Sequence, residues 1–394
     1  MTPSILVLNA GSSSLKFALY PAQGGLATPL LHGKIAGIGT APRFRASDAN
    51  GTPLPPELHM TLTPKTQADG WVTPLLDWLA HHPAAYSITA AGHRVVHGGQ
   101  HQSGPARVTD TLMAELQALS PLAPLHQPYS LAAIRALAAL RPDLPQVACF
   151  DTSFHRSQPR LAQLFALPRA LSDAGILRYG FHGLSYDYIA AVLPAQLGAK
   201  AEGRVIVAHL GHGASLCAMK ARQSVASSMG FTALDGLMMG SRCGSLDPGV
   251  LLYLLGERAM NLPDLTDLLY HQSGLQGVSG ISSDMAVLEA SAAPEAQEAI
   301  ALFCYRAAGA IGELAAALGG LDALVFTAGI GENSARVRRE ICAQLGWMGV
   351  DLDAKANAEG ATHLGSKRSG VAVLMIPTDE ESVIAAATLA LLRG

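Results

Sequence analysis

Apolar and polar positions divide the chain into a strand–turn–strand theme that occurs twice, with helical stretches between and after. Ile5 to Leu8 form a short apolar run of strand type, and beyond a polar turn Leu15, Phe17 and Leu19 alternate with Lys16, Ala18 and Tyr20 as a second strand. Residues 205–219, VIVAHLGHGASLCAM, repeat the pattern, with Gly211 at the place of Gly11 and Met219 at the place of Leu19. Two such hairpins, each opening an α/β region, predict a duplicated fold whose two turns face one another across a cleft. Helical periodicity covers residues 73–82, 110–120, 128–141, 250–270, 293–319 and 336–345. Residues 21–70, rich in Gly, Pro, Thr and Ala, predict meandering strands and loops without chemistry.

The turns carry the first candidate chemistry. Asn9, Gly11 and Ser12 to Ser14 combine a residue free to take positive φ with short donors, so N–H groups and hydroxyls can converge on an anion, with Lys16 adding a point charge. A plain hairpin with a serine-rich tip has the same sequence, and neither hairpin supplies the Gly-Lys-Ser/Thr and following helix of a Walker loop. In AGHRVVHGG, residues 91–99, polar His93, Arg94 and His97 surround Val95 and Val96 in a strand context. That is either a strand with one exposed edge or a site where the planar fork of Arg94 meets a carboxylate or phosphate. In SPLAPLHQP the two prolines on either side of His126, Pro124 and Pro128, fix a loop, and Asp151 ends the apolar run QVACF at the crevice side of an α/β sheet, where it could also cap the next segment.

Further on, RYGFHGLSY places Phe181 beside His182, and the Gly- and Met-rich run 227–249 carries Arg242 in a loop that must approach something closely. In LDALVFTAGIGENS, Gly329 and Gly331 form a loop before the helix 336–345, at whose start a nucleotide's sugar or phosphate could lie. The last strand and helix, VAVLMIPTDEESVIAAATLALL, put Asp379, Glu380 and Glu381 in a first helical turn; they suit the helix dipole and, with phosphates nearby, a Mg²⁺ ion. The apolar face of 293–319, with Tyr305, Ala308 and Ile311 to Leu314, reads as core or subunit contact.

Composition narrows the class. The 394 residues suffice for two domains, and 49% hydrophobic with 14% charged residues is a compact α/β composition. A net charge of −3 without basic runs argues against nucleic acid as a partner. No leader pattern and no uncharged span of bilayer length stands out, so no membrane is expected. The five scattered cysteines read as buried small hydrophobes in a reducing cytosol, hence a cytoplasmic enzyme.

The ordered series LNAGSSSLKF, GHRVVHGG, LAPLH, FDTSFH, YGFHG, HLGHGAS, SMGFTALDGLMMGSR, FTAGIGENS and IPTDEE resembles the acetokinase family of short-chain carboxylate kinases over essentially the whole chain. The resemblance implies a duplicated actin-like ATPase (ribonuclease H-like) α/β core, with two domains around a central cleft. One domain would be 1–151, with the helix 381–394 packing back on it, and the other 152–380, carrying the nucleotide. It implies a homodimer transferring phosphate directly between ATP and acetate, giving ADP and acetyl phosphate, with Mg²⁺ or, as a substitute, Mn²⁺.

By position, the resemblance implies Asn9 and Glu380 at the metal, and Ser12, Ser14 and Lys16 in the first phosphate turn. Arg94 and Arg242 would hold acetate and the phosphoryl group, His126 and His182 would donate to its equatorial oxygens, and Asp151 would position magnesium or the attacking carboxylate. His209, Leu210, Gly211, His212 and Gly213 would form the second phosphate turn, with Asp284, Met285, Ala286, Gly329, Ile330, Gly331 and Asn333 along the nucleoside. Val96, Leu125, Phe181 and Ala233 would line the methyl pocket. Five places depart from the family pattern: His212 for Asn, Ala286 for Arg, Ala233 for Pro, Gln127 for Asn, and the run Ala226-Ser227 where the family has Asp before the SMGFT motif. His212 brings a titratable group whose protonation a bound phosphate would favour. These departures leave tolerance of propionate, use of pyrophosphate or another nucleotide, and a non-catalytic ligand-binding relative as alternatives.

Overall fold

A computed structural model describes residues 2–11, 14–23, 28–38, 42–54, 68–82, 86–124 and 126–393. They fall into two compact units, Met1–Phe154 with Asp379–Gly394, and His155–Thr378.

The first unit is built on a seven-stranded sheet of β1 (Thr2–Ala10), β2 (Ser14–Pro21), β3 (Leu31–Ala36), β4 (Arg43–Asp48), β5 (Tyr86–Val95), β6 (Ala106–Arg107) and β7 (Gln146–Phe150), in the order β4-β3-β2-β1-β5-β7-β6. Strands β1 to β4 pair antiparallel, whereas β1, β5 and β7 run parallel. Every residue of β1 from Ser4 to Ala10 is buried, as expected of a strand covered on both faces. Helix Glu380–Arg393 packs on β1 and β5. It comes so close that a Cβ on Gly92 would overlap Thr388 Oγ1 and Ile384 Cγ2, so no larger residue fits there. The AGHRVVHGG strand is therefore interior, between β1 and β7, and the exposed-edge reading fails.

The second unit repeats the plan in five strands, β8 (Arg204–Leu210), β9 (Ala214–Lys220), β10 (Gln223–Ser227), β11 (Ala323–Thr327) and β12 (Ala372–Met375), ordered β10-β9-β8-β11-β12. Again a hairpin-linked antiparallel trio leads into two parallel strands. Ile5 pairs with Tyr20 across the first hairpin and Val205 with Met219 across the second, so Met219 stands at the place of Tyr20 rather than Leu19. The second turn is one residue shorter, joining Leu210 to Ala214 where the first joins Ala10 to Leu15.

Two other expectations change. The stretch 250–270 is two helices, Pro248–Gly256 and Leu262–His271. Between them Ala259 takes a φ of 51°, and the Asn261 side chain caps the second helix by accepting from Asp264 N at 2.9 Å. The glycine loop 328–333 is itself a helical turn, Ala328–Asn333, followed by a helix Ala335–Ala343 capped by Ser334. Helix Pro294–Leu318 is long and apolar enough to cross a membrane by length and composition. It packs against β8, β9 and β10 through a buried stripe that includes Ile300, Phe303, Ile311 and Leu314, as a core helix does.

Candidate functional site

In the first unit the parallel register sets three side chains at the ends of three strands. Arg94 lies opposite Cys149, two residues before Asp151, and Asn9 follows Leu8, which is paired with His93. The Arg94 guanidinium grips Asp151 through both arms, Nε to Oδ1 at 3.0 Å and Nη2 to Oδ2 at 2.6 Å, while Nη1 donates to Asn9 Oδ1 at 3.3 Å. Asn9 Nδ2 in turn donates to Glu380 Oε2 and Glu381 Oε1, each at 3.2 Å. The Asn9 amide can take only this orientation, because a guanidinium only donates and carboxylates only accept. Asp151 is 1% exposed. Burial opposes the charge on Arg94, but Asp151, Glu380 and Glu381 more than offset it and hold the guanidinium above its ordinary value.

The same unit holds other expected residues. Lys16 Nζ stands 3.8 Å from Glu381 Oε1. Val96 is buried, and His126 heads helix Gln127–Leu140. Ser14 begins β2, and its carbonyl accepts from Gly11 N at 2.8 Å, closing the turn. Ser12 and Leu125 lie outside the described residues. Gln127 fixes the chain just past Arg94 and Val96, since its Oε1 accepts from His97 N and its Nε2 donates to His97 O, both at 3.0 Å.

In the second unit His182 takes a left-handed conformation, φ 57°, at the start of helix Gly183–Leu197. Its Nδ1 meets Ser215 Oγ at 2.8 Å, and Ser215 Oγ also bonds Tyr186 OH. The ring stacks on His209, centroids 4.1 Å apart and planes 16° from parallel, and His209 Nδ1 meets Ser185 Oγ at 2.8 Å. Gly213 leaves the space these groups share: a Cβ there would lie 3.1 Å from Arg242 Nη2 and 3.4 Å from His182 Nε2. Arg242 Nη1 donates to Ala233 O at 2.6 Å. Phe181 is buried.

A cleft of about 350 Å³ in the same unit is lined by Gly211, His212, Asp284, Met285, Ala286, Gly329, Ile330 and Asn333, most of the residues expected along a nucleotide. Four others of this unit do not line it: His209 and Gly213, which lie by His182 as described above, and Leu210 and Gly331. Leu210 is buried within β8, and Gly331 faces Phe326 and Ala208 O of the sheet, so both pack rather than line. Asp284 spends one oxygen capping its own helix, accepting from Ala286 N at 2.8 Å. His212 keeps solvent access, yet partial burial and then Arg242 push its imidazole below the ordinary value, with Asp284 partly opposing, so it is neutral at neutral pH.

Several supporting residues escaped sequence reasoning. Ser215 and Tyr186, which orient His182, look like ordinary strand and helix residues, although both lie within motifs already singled out. Arg338, 1% exposed, donates to Gly331 O at 2.9 Å and Glu332 O at 2.8 Å and so fixes the helical turn beside the cleft.

Among the described residues, no group of three or more His, Cys, Asp or Glu side chains forms a ready metal cage. Magnesium at a phosphoryl-transfer site needs none, since it keeps waters and takes phosphate oxygens with one or two carboxylates. The Glu380 and Glu381 carboxylates, both held by Asn9, fit that donor set. Asn9, the other residue expected at the metal, turns its nitrogen toward both carboxylates in this arrangement.

A profile of the Acetokinase family matches residues 4–386. The chain belongs to the acetokinase family. It is a carboxylate phosphotransferase with the actin-like ATPase fold. It is 53% identical to an acetate kinase of Rhodopseudomonas palustris over 391 residues, 98% of this chain and 97% of the relative. Among solved structures it resembles a propionate kinase from Francisella tularensis (TM-score 0.90, 35% identity, 99% of this chain and 100% of that one). It also resembles Porphyromonas gingivalis acetate kinase (TM-score 0.85, 34% identity, 99% and 100%).

Proposed function

We propose that this enzyme transfers the γ-phosphoryl group of ATP to acetate, giving acetyl phosphate and ADP, in the cytoplasm. The observation that carries this reading is the Arg94–Asp151 fork joined through Asn9 to Glu380. It is a fixed cation between a carboxylate at the end of a parallel strand and carboxylates that open a helix, on the side of the sheet where α/β proteins bind ligands. A carboxylate is already ionised near neutral pH, so the nucleophile needs no general base. The barrier is electrostatic: two anions must meet, and charge spreads over the oxygens of a loose in-line transition state.

Arg94 and Arg242 neutralise that charge, His182 Nε2 donates a hydrogen bond beside Arg242, and His126 is assigned the same role. Lys16 with Ser12, Ser14, His209, Gly211 and Gly213 serves the phosphates, and the Asp284–Ala286 and Gly329–Asn333 segments the nucleoside. Val96, Leu125, Phe181 and Ala233 surround the methyl group. Asp151 positions Arg94. Glu380 would hold a magnesium ion, with Glu381 and Asn9 beside it, and the ion would supply positive charge against the phosphates. Acyl phosphate trapped as hydroxamate checks the reading. Acetate with ATP should react and EDTA should abolish the signal, while propionate, one methylene larger, should lose no more than about 10- to 200-fold in kcat/KM. No acyl phosphate from acetate and ATP would reject the proposal.

We also propose a homodimer. Helix Pro248–Gly256 buries none of its residues although its sequence reads VLLYLL, leaving Leu252 72% and Tyr253 52% exposed. Light scattering should give twice the 40.9 kDa chain mass, and Leu252→Asp should shift it toward the monomer. A monomer at micromolar concentration would contradict this.

A further inference from the structure

The motif FDTSFH ends in a histidine that the reaction does not use. His155 is 1% exposed. Its Nε2 lies 2.9 Å from Phe181 O and its Nδ1 2.9 Å from Ser224 Oγ. A carbonyl only accepts, so Nε2 carries the hydrogen and Nδ1 accepts from the Ser224 hydroxyl. Ser224 Oγ is in turn fed by Gln158 Nε2 at 3.0 Å and by the Cys217 thiol at 3.4 Å. The network thus selects one neutral tautomer.

The ring also reaches the other side of His182. It meets Tyr186 edge to face, centroids 5.6 Å apart. The Tyr186 hydroxyl bonds Ser215 Oγ, the same atom that holds His182 Nδ1 at 2.8 Å. Next to the clamp, Gly180 has φ 74°, and a Cβ there would fall 2.5 Å from His155 Cδ2. His182 itself is a non-glycine residue at positive φ, a conformation that persists only when its surroundings over-determine it. His155 therefore touches the backbone just before His182 and the ring that anchors its side chain.

We propose that His155 is a positioning residue: as the Nε2–H tautomer it clamps the Phe181–His182 peptide and, through Tyr186 and Ser215, aims His182 Nε2 beside Arg242. This rests on the reading above that His182 donates to the transferring phosphoryl group. Burial, with a smaller contribution from Arg156, holds the His155 imidazole down at about 4 against the Phe181 carbonyl, so the ring stays neutral in the working range.

The test compares His155→Ala, His155→Gln and His182→Ala in the full-length protein, with kcat and ATP KM measured separately and histidine ¹⁵N shifts recorded for the wild type. His155→Ala is expected to lower kcat by about 10- to 100-fold with ATP KM unchanged, as loss of an outer support does. His155→Gln, whose amide can donate to Phe181 O and accept from Ser224, should recover most of that loss. The ¹⁵N signal that disappears in His155→Gln should show a protonated Nε2 and a bare Nδ1 from pH 6 to 8.

A wild-type rate in His155→Ala alongside a slow His182→Ala overturns the positioning role alone. A wild-type rate in His182→Ala overturns the role of His182 and this inference with it. Equal losses in both His155 variants that follow a lowered melting temperature and a raised KM reduce His155 to a packing residue and overturn it. If His155→Ala does not fold, the tautomer and His155→Gln decide: a protonated Nδ1 overturns the proposal.

Discussion

Arg94→Ala is expected to lower kcat by at least about 100-fold, the scale of removing one preorganised charge-stabilising donor. The substitution removes more than a cation. Asp151, 1% exposed, loses both of its arginine contacts, and breaking a buried ion pair by removing one partner costs on the order of 3–5 kcal/mol. Asn9 Oδ1 loses its guanidinium donor, and with it the reason its amide points Nδ2 at Glu380 and Glu381. Activity and melting temperature should therefore fall together. Arg94→Lys should rescue little, because an ammonium cannot match the two-armed geometry on Asp151. Steady-state kinetics and thermal denaturation check both parts. An Arg94→Ala enzyme within tenfold of wild type would remove Arg94 from the machinery.

Arg242→Ala is expected to cost at least about 100-fold in kcat as well, but by a different route. Arg242 is 8% exposed and its Nη1 is held by a neutral carbonyl, Ala233 O, at 2.6 Å. Losing that contact removes a hydrogen bond from a charged donor, worth on the order of 1.5–3 kcal/mol. A second readout follows from His212. Arg242 helps push that imidazole below its ordinary value, so removing the arginine should bring the His212 titration upward. Histidine NMR across pH 5 to 8 would show this, and an unmoved His212 together with wild-type turnover would refute the assignment of Arg242.

Much of the frame was legible because strand pairing leaves a strong mark on sequence. Alternation in 15–20 and the apolar runs of β1 and β8 marked both hairpins, and Asp151 stood at a strand end as its sequence context implied. What escaped was set by packing. The AGHRVVHGG strand carries polar residues yet is interior, because its polar groups lie at the end of β5 beside β1 and β7 rather than along a free edge. The break within 250–270 depends on capping by Asn261, which hydrophobic periodicity does not register. Gly331 and Leu210 share motifs with residues that line the cleft but point into the sheet, a distinction of face rather than of spacing. Individual roles came from the resemblance, and the hydrogen-bond partners came from the structure. Neither showed from sequence that the Asn9 amide turns its nitrogen to the glutamates, because only the three-dimensional opposition of Arg94 and Glu380 dictates it.

Direct transfer is best followed by ³¹P NMR of the enzyme with ATP, acetate and magnesium. An acetyl phosphate resonance should grow in step with ADP, without inorganic phosphate as an early product, and should be lost in both arginine variants. ADP and inorganic phosphate appearing without acetyl phosphate, or acetyl phosphate forming at an undiminished rate in Arg94→Ala and Arg242→Ala, would contradict direct transfer by this site.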